Sequence, residues 1–423
     1  MKLSRVAESW KKRLFVTPIP ADSLRWWALG GFFAALIVRI VISVIVMPPD
    51  FLFSVESDAG QYISEAYRFL EPNVHGAPGM YLPMGYPAFI ALAYRLLGAQ
   101  ITSVRILQAF LDAGTCVMIF FIARQLYPGR PRIAILSLLV AACYPPFVIF
   151  VGFQLTEPLY LFLTVAFAWS AIHWLNKPGW LNTVVTGVLL GFCNLVREEF
   201  FLFPIVLAML FYLRHRSLKR TSLTFGLLLL AMLLAIGPWI VRNSVMVGQP
   251  VFLTDRTTYM LNKVGLLPPA PLEYNYGDSA LDPRASESYL WSMRFARINE
   301  MLDFKAAIRN PLHYILMIAV RTMYVWLRPV GAPALPMVIL VIYYIFHEIM
   351  LILAIAECVW IVRQRDYLAW ILIGLWIYKY LLHMFTTTSL VRYSMPVLPF
   401  IILLACAALV KGITTLAEKK GIV

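Results

Sequence analysis

The sequence predicts an all-α protein that crosses a membrane many times. Of its 423 residues, 61% are hydrophobic and only 14% are charged, whereas soluble proteins average about 45–50% apolar and about 25% charged residues. Apolar runs of spanning length recur along the whole chain. This composition leaves too little polar surface for two or three soluble domains, and it also excludes a disordered chain or a disulfide-rich secreted protein.

Ten apolar runs are predicted to span the bilayer, at about 20 residues per crossing. They are residues 26–47, 101–126, 131–153, 156–176, 180–196, 198–213, 222–241, 334–361, 367–385 and 394–416. No small-residue cleavage site follows the first run, so we expect it to be retained. The five cysteines all fall in apolar runs, where buried, unreactive thiols are expected.

Basic residues mark alternate ends of these spans. The basic connections contain Arg124, Arg130, Arg132, Lys177, Arg214, Arg216, Lys219, Arg220, Arg363, Arg365, Lys411, Lys419 and Lys420. With the N-terminus inside, every one of these groups is cytoplasmic, as the positive-inside rule requires. The net charge of +14 is therefore mostly a matter of topology, and no nucleic-acid partner is expected. The basic segment 1–15 fits either a helix on the membrane surface or a disordered tail.

Two connections are long, about 48–100 and about 242–312, and both are predicted to face outward. Long loops in compact domains usually carry function. In the first loop, apolar periodicity predicts helices at 58–70 and 83–97 lying against the membrane; in the second, it predicts a helical stretch at 286–301. The apolar stretch 313–327 is interpreted as an interfacial or half-inserted helix, because a further span would reverse the charge pattern. The whole chain, 1–423, is predicted to be one transmembrane module.

Three arginines are predicted at the outer membrane face, where the positive-inside rule makes them unexpected: Arg197, Arg242 and Arg392. A guanidinium matches phosphate oxygens, so together they suggest a phosphorylated lipid ligand, with Lys263 as a further candidate. The alternative is that each arginine separately reaches the lipid headgroups.

Two acidic residues, Asp58 and Glu157, are predicted at the same face. A carboxylate beside a lipid phosphate can act as a general base, although Asp58 also fits a helix N-cap. The first loop carries Tyr62, Tyr81 and Tyr86, which fit either an interfacial aromatic belt or a sugar-binding surface. No histidines or cysteines have metal-ligand spacing, so no metal site is predicted.

Two charges, Arg39 and Asp112, fall inside predicted spans. Such charges are costly in the bilayer unless they are paired or hydrated. The sequence therefore predicts that they pair with each other.

Four short motifs in order resemble those of the GT-C glycosyltransferases, the superfamily of the protein O-mannosyltransferases and aminoarabinose transferases. Residues 58–66 (DAGQYISEA) are similar to the opening of its first external loop, and 81–87 (YLPMGYP) to its proline-tyrosine segment. Residues 237–243 (GPWIVRN) resemble the motif that ends the seventh span, and 392–396 (RYSMP) the motif of the last span.

The resemblance implies a GT-C fold and the transfer of a sugar from a polyprenyl-phosphate donor to a lipid, glycan or protein acceptor outside the cytoplasm. It implies that Asp58 and Glu157 lie at the active site and that Arg242 and Arg392, with Tyr393 of the last motif, bind the donor. Transfer would invert the anomeric centre and need no cofactor or divalent metal.

The chain also departs from the two branches named above. Ala59 follows Asp58, so the Asp-Glu pair of the mannosyltransferases is missing, and the Lys-Pro-Pro of the aminoarabinose transferases is replaced by Leu82-Pro83-Met84. The sugar therefore stays unassigned. The short chain without a glycosylation sequon favours a bacterial inner membrane.

Two alternative functions fit the same pattern of spans. A transporter or flippase of lipid-linked substrates would explain the intramembrane charges, but the chain shows no paired inverted halves. An enzyme of the O-antigen-ligase type would use a similar carrier lipid and move a preformed glycan.

Overall fold

The structure is a computed structural model, and it describes residues 19–20, 22–48, 58–76, 78–80, 82–248, 250–254, 311–327, 337–385 and 391–419. All regular structure in these ranges is helical, which confirms the predicted all-α polytopic membrane class. Tyr81, Lys263, the segment 1–15 and the predicted helix at 286–301 lie outside the described residues.

The helices follow one another along the chain with short connections, except at the two long loops. They are α1 (Ser23–Ile40), α2 (Asp58–Leu70), α3 (Pro72–His75), α4 (Gly85–Leu97), α5 (Ile101–Leu126), α6 (Pro131–Cys143), α7 (Pro145–Phe150), α8 (Glu157–Asn176), α9 (Trp180–Val196), α10 (Phe203–His215), α11 (Leu218–Val247), α12 (Pro311–Trp326), α13 (Met337–Gln364), α14 (Trp370–Phe385) and α15 (Leu398–Lys419). A π-helical turn, Val41–Val46, extends α1, and 3₁₀ turns form at Glu198–Phe200 and Val391–Val397.

Every predicted span contains a described helix. Within the described ranges, six helical segments are long and apolar enough to cross a membrane: Ser23–Val46, Ile101–Leu126, Glu157–Asn176, Leu218–Val247, Val341–Gln364 and Arg392–Lys419. Helices α6, α9, α10 and α14 are apolar but shorter. The protein is thus an integral membrane protein, and the count of ten spans stays a prediction.

Two predicted boundaries are wrong. The span expected at 131–153 is broken at Tyr144, which is extended (φ −69°, ψ 118°), because a residue before proline is disfavoured in helical conformation. The span expected to end at 241 continues through α11 to Val247. Arg242 therefore belongs to a helix, and the second loop begins later than its polar residues suggested.

The basic connections meet at one end of the bundle. Arg214, after α10, donates to the carbonyl of Leu175 at the end of α8 (3.0 Å). Lys411 of α15 and Tyr127 after α5 both donate to Oε1 of Glu357 in α13 (2.5 and 2.8 Å). These contacts agree with the alternation of charge in the sequence. We call this the basic end of the bundle.

Helices α8 and α15 are the most buried of the spanning helices, and α1 and α11 lie at the periphery. Glycine allows α9 to approach α11 closely: a Cβ atom on Gly187 would lie 2.5 Å from the carbonyl oxygen of Leu228. Small residues at such crossings are typical of packing between membrane helices.

An ion pair inside the bundle joins three helices. Arg39 of α1 pairs with Asp112 of α5, as predicted, and both side chains are buried. The guanidinium also donates to the carbonyls of Ala142 (2.8 Å) and Ala141 (3.2 Å) of α6. The pair thus fixes the positions of α1, α5 and α6.

We expect Arg39→Gln to lower the stability of the protein by about 3–5 kcal/mol, because it leaves a buried carboxylate unpaired. The double variant Arg39→Gln/Asp112→Asn should recover part of this loss. The measurement is the thermal unfolding midpoint in detergent micelles, with Arg95→Gln on exposed α4 surface as the control. Unfolding of Arg39→Gln at the wild-type temperature would contradict the structural role of the pair.

Candidate functional site

Six charged side chains meet at the end of the bundle opposite the basic end. They are Asp58, Glu157, Arg197, Glu199, Lys379 and Arg392. The first two begin α2 and α8, the next two follow α9, Lys379 lies in α14, and Arg392 lies in the 3₁₀ turn before α15. We call this set the charged cluster. It brings together segments as distant as Asp58 and Arg392, which are 334 positions apart.

Glu157 lies between the two arginines of the cluster. Its Oε1 atom is 3.6 Å from Nε of Arg392 and 3.6 Å from Nη1 of Arg197. Arg392 also forms an ion pair with Asp58. One arginine thus bridges the two carboxylates that the sequence predicted to be catalytic.

The inner part of the cluster is a second bridge, around Glu199. Arg197 donates to Oε1 of Glu199 from Nε (2.9 Å), with Nη2 at 2.8 Å from the same atom. The ammonium of Lys379, fully buried, pairs with Oε2 of the same carboxylate. The three cations and three carboxylates named here balance each other in charge.

The two catalytic candidates differ in exposure and bonding. The side chain of Asp58 is 50% exposed. That of Glu157 is 2% exposed, and neither of its carboxylate oxygens has a hydrogen bond from the described residues. Glu157 begins α8, where the helix dipole favours negative charge. Glu157 thus lies 3.6 Å from two cations and forms a hydrogen bond with neither of them.

Electrostatics favour the charged forms of Glu199 and Arg197. Burial acts to raise the pKa of Glu199, but Arg197 and Lys379 outweigh it and hold that pKa well below its usual range. Burial acts to lower the pKa of Arg197, and Glu199 and Glu157 outweigh it in turn, so the pKa is raised. Burial raises the pKa of Tyr62, which faces the cluster from α2. The phenol is therefore neutral at physiological pH.

Aromatic rings border the charges. The ring of Tyr393 lies 4.6 Å from the guanidinium carbon of Arg197 and 5.9 Å from that of Arg392. His383 of α14 also stacks on Tyr393, with ring centroids 5.1 Å apart. His383 is 3% exposed, and its two nitrogens have no hydrogen-bond partner among the described residues. Its polar atoms are available to a ligand that enters the cluster.

Tyr86, a predicted substrate-binding residue, is connected to the site through Gln108. It is fully buried, and its hydroxyl donates to Oε1 of Gln108 (2.7 Å). Gln108 in turn donates to the carbonyls of Val151 and Phe153, each at 2.9 Å, in the turn that leads to Glu157. Its predicted role in binding stays a prediction. The contacts fix α4 relative to the start of α8.

Arg242 lies apart from the charged cluster. It donates to the carbonyls of Pro78 and Gly79 in the first loop and lies 4.4 Å from the Trp239 ring centroid. The next residue, Asn243, donates to the carbonyl of Leu253 at the start of the second loop (3.0 Å). Two adjacent residues of α11 therefore form hydrogen bonds with both loops.

A cavity of about 520 Å³ lies beside Arg242, between α2, α4, α9 and α11. Phe69, Met84 and Trp239 give it apolar walls, and Arg68 and Arg242 give it positive charge. The rise of an α-helix places Arg68 about 15 Å from Asp58 along α2. The cavity and the charged cluster thus lie at opposite ends of α2, about 15 Å apart along the helix.

Sequence reasoning found four members of the cluster and overlooked Lys379. It also overlooked His383, one helical turn away on the same face of α14. Lys379 and His383 could have been found from the sequence, because ionisable residues inside an apolar run are functional candidates in membrane proteins. Glu199 was not predicted as a site residue either. No group of three or more metal-ligating side chains occurs among the residues that the structure describes.

The fold and the cluster define a membrane protein with an ionic site at one end of its bundle. Residues 82–241 match the family model of dolichyl-phosphate-mannose-protein mannosyltransferase, a family of the GT-C superfamily. The match confirms the predicted resemblance and supports a membrane glycosyltransferase of the GT-C type. It includes Glu157, Arg197 and Glu199 and ends just before Arg242. No curated protein and no solved structure gives a significant match.

We expect Glu199→Gln to destabilise the protein by about 3–5 kcal/mol, because it leaves two buried cations without their shared carboxylate. Adding Lys379→Met should restore part of the loss. The readout is a double-mutant cycle of thermal midpoints in micelles. The pKa of Glu199 is below its ordinary 4.5, so its stabilisation is present above about pH 4.5 and is lost as the pH falls through the lowered folded-state pKa. Additive effects of the two substitutions would contradict the bridge.

Proposed function

We propose that the protein transfers a sugar from a polyprenyl-phosphate donor to a hydroxyl or amine on a lipid, glycan or protein acceptor. The observation that carries this proposal is the position of Arg392 between Asp58 and Glu157. It joins a cation suited to a phosphate with an exposed carboxylate suited to a general base. The partial match to the mannosyltransferase family supports the same class of donor.

Donor binding would change the partners of Arg392. The cluster is balanced in charge, so an added phosphodiester needs a cation from an existing ion pair. Arg392 is the most exposed of the three cations, at 25% against 17% for Arg197 and 0% for Lys379. When its guanidinium turns to the donor phosphate, the Asp58 carboxylate loses its partner and becomes free to accept a proton. Asp58 is therefore activated where and when the donor is bound.

The proposed reaction is a single displacement. The acceptor oxygen or nitrogen attacks the anomeric carbon and forms the new glycosidic bond. The bond from that carbon to the phosphate oxygen breaks, and the electron pair leaves with the polyprenyl phosphate, whose charge the arginines stabilise. The acceptor proton passes to Asp58. Attack from the side opposite the phosphate inverts the anomeric centre.

Glu157 is proposed to position other groups and to take no part in the proton transfer. It keeps both arginines in place through its buried charge and offers its unused oxygens to a hydroxyl of the sugar or acceptor. Tyr62 and Tyr393 border the same space and are suited to stacking on a sugar ring. The cavity beside Arg242 is suited to a later part of the polyprenyl chain, because its walls are mostly apolar.

The site is proposed to face away from the cytoplasm, since it lies at the end opposite the basic connections. A bacterial inner membrane is the proposed location.

The intramembrane charges that fitted a transporter, Arg39 and Asp112, form an ion pair with each other. Arg39 also donates hydrogen bonds to carbonyls of α6. Among the described residues, that pair is a structural contact, and it offers no support for a transport path.

Asp58→Asn is expected to reduce transfer by at least about 10²–10⁴-fold, because the amide cannot accept the acceptor proton. The assay uses nanodiscs, a panel of radiolabelled polyprenyl-phosphate sugars and membrane extract as acceptor. Glu71→Gln, at an exposed acid after the same helix, is the matched control. Wild-type turnover by Asp58→Asn would remove Asp58 from the chemistry, and the absence of transfer from every donor would favour a transporter or a glycan ligase.

Arg392→Gln is expected to lower kcat/KM for the donor by about 100-fold, as the loss of one charge-stabilising donor does in other sites. Arg392→Lys should recover part of this, since the charge is kept and the planar fork is lost. The measurement is donor titration at fixed acceptor, with Arg95→Gln as the control. An unchanged dependence on donor concentration would exclude Arg392 from the phosphate site.

A further inference from the structure

A second cavity, of about 660 Å³, lies at the basic end of the bundle, between α1, α5 and α8. Ala28, Leu29 and Phe32 form its α1 wall. Phe121 of α5 stacks on Trp169 of α8 with ring centroids 6.1 Å apart, and both rings line the cavity. We call this cavity the inner groove. It is separate from the charged cluster, which lies at the opposite end of α8.

The polar side chains of the inner groove are collected at one end. Arg25, near the start of α1, and Arg124, near the end of α5, both line it, together with Gln125. Within the described part of the chain, neither guanidinium has an ion pair or a hydrogen bond to a carboxylate. Arg25 lies 5.6 Å from the Trp26 ring centroid. Two cations without an ion pair to any described residue thus lie at one end of an apolar slot.

The length of the inner groove matches one leaflet. From Arg25 to Phe32 along α1, and from Val117 to Arg124 along α5, the helical rise gives about 11 Å. Half of the hydrocarbon core of a bilayer is about 15 Å. An acyl chain that begins at the two arginines would therefore lie along the groove over most of its leaflet.

We propose that the inner groove binds an anionic glycerophospholipid from the leaflet at the basic end. Its phosphate would lie between Arg25 and Arg124, and one acyl chain would lie along Leu29 and Phe32. Charge complementarity favours this occupant. A zwitterionic lipid would bring its own cation to the arginines, and the segment 1–15 of this chain is itself basic.

The test is native mass spectrometry of the full-length protein in detergent, titrated with phosphatidylglycerol or phosphatidylcholine. Each basic residue near an anionic lipid contributes roughly a factor of five to affinity. The variant Arg25→Gln/Arg124→Gln should therefore bind phosphatidylglycerol about 25-fold more weakly than wild type. Arg130→Gln/Arg220→Gln, which removes two charges at the same end outside the groove, is the matched control and should bind like wild type.

Two further measurements keep the test independent of folding. Leu29→Trp, which fills the slot and keeps both arginines, should also weaken binding. A photo-reactive side chain at position 29 should attach to lipid in native membranes. Equal binding of the two lipids by wild type, equal binding of phosphatidylglycerol by the two double variants, or attachment of position 29 to residues 1–18 would each overturn the proposal.

Discussion

The buried charge of Glu157 is the constraint on which the arrangement of the charged cluster depends. A carboxylate without hydrogen bonds is costly to bury, and here two guanidinium groups at 3.6 Å offset that cost. Those groups arrive from opposite parts of the chain, after α9 and before α15. This end of the bundle is therefore packed around an acid that attracts two arginines. Both of its carboxylate oxygens can still accept hydrogen bonds. This combination of rigid position and open bonding is what a binding site for a polar substrate requires.

The layers behind the cluster explain how a membrane bundle holds so many charges near one another. Gln108 connects α4 to the turn before Glu157, and Glu199 connects Arg197 to the buried Lys379 of α14. Each ion in the inner bridge has a partner of opposite sign in contact, which is the condition for keeping charges out of water. The exposed member, Asp58, is the one whose partner has freedom to change.

Much of the fold could be predicted because helix formation and membrane insertion depend on patterns within short segments of sequence. Apolar runs and alternating basic connections predicted the helices and their common basic end, and periodicity predicted α2 and α4. The break at Tyr144 was missed because the apolar run continues through the proline pair that ends the helix. The helix end near Arg242 was predicted too early because its polar residues resemble a loop.

The site was partly predictable for the same reason. Glu157, Arg197 and Arg392 lie at the ends of spans, where unexpected charge is visible in the sequence, and Asp58 begins a predicted helix of the first loop. Lys379 lies inside a span, and its partner Glu199 is 180 positions away, so only the packed structure shows their contact.

The adjacent residues Arg242 and Asn243 join the first loop to the second through the end of one helix. Because Arg242 and Asn243 are neighbours on α11, Pro78 and Gly79 are connected to Leu253 through two adjacent residues of one helix. The two loops are in this sense one mechanical unit. A chimaera that exchanges the first loop with that of a relative would have to carry a compatible α11 terminus with it, and acceptor specificity encoded in one loop would be inherited together with the other.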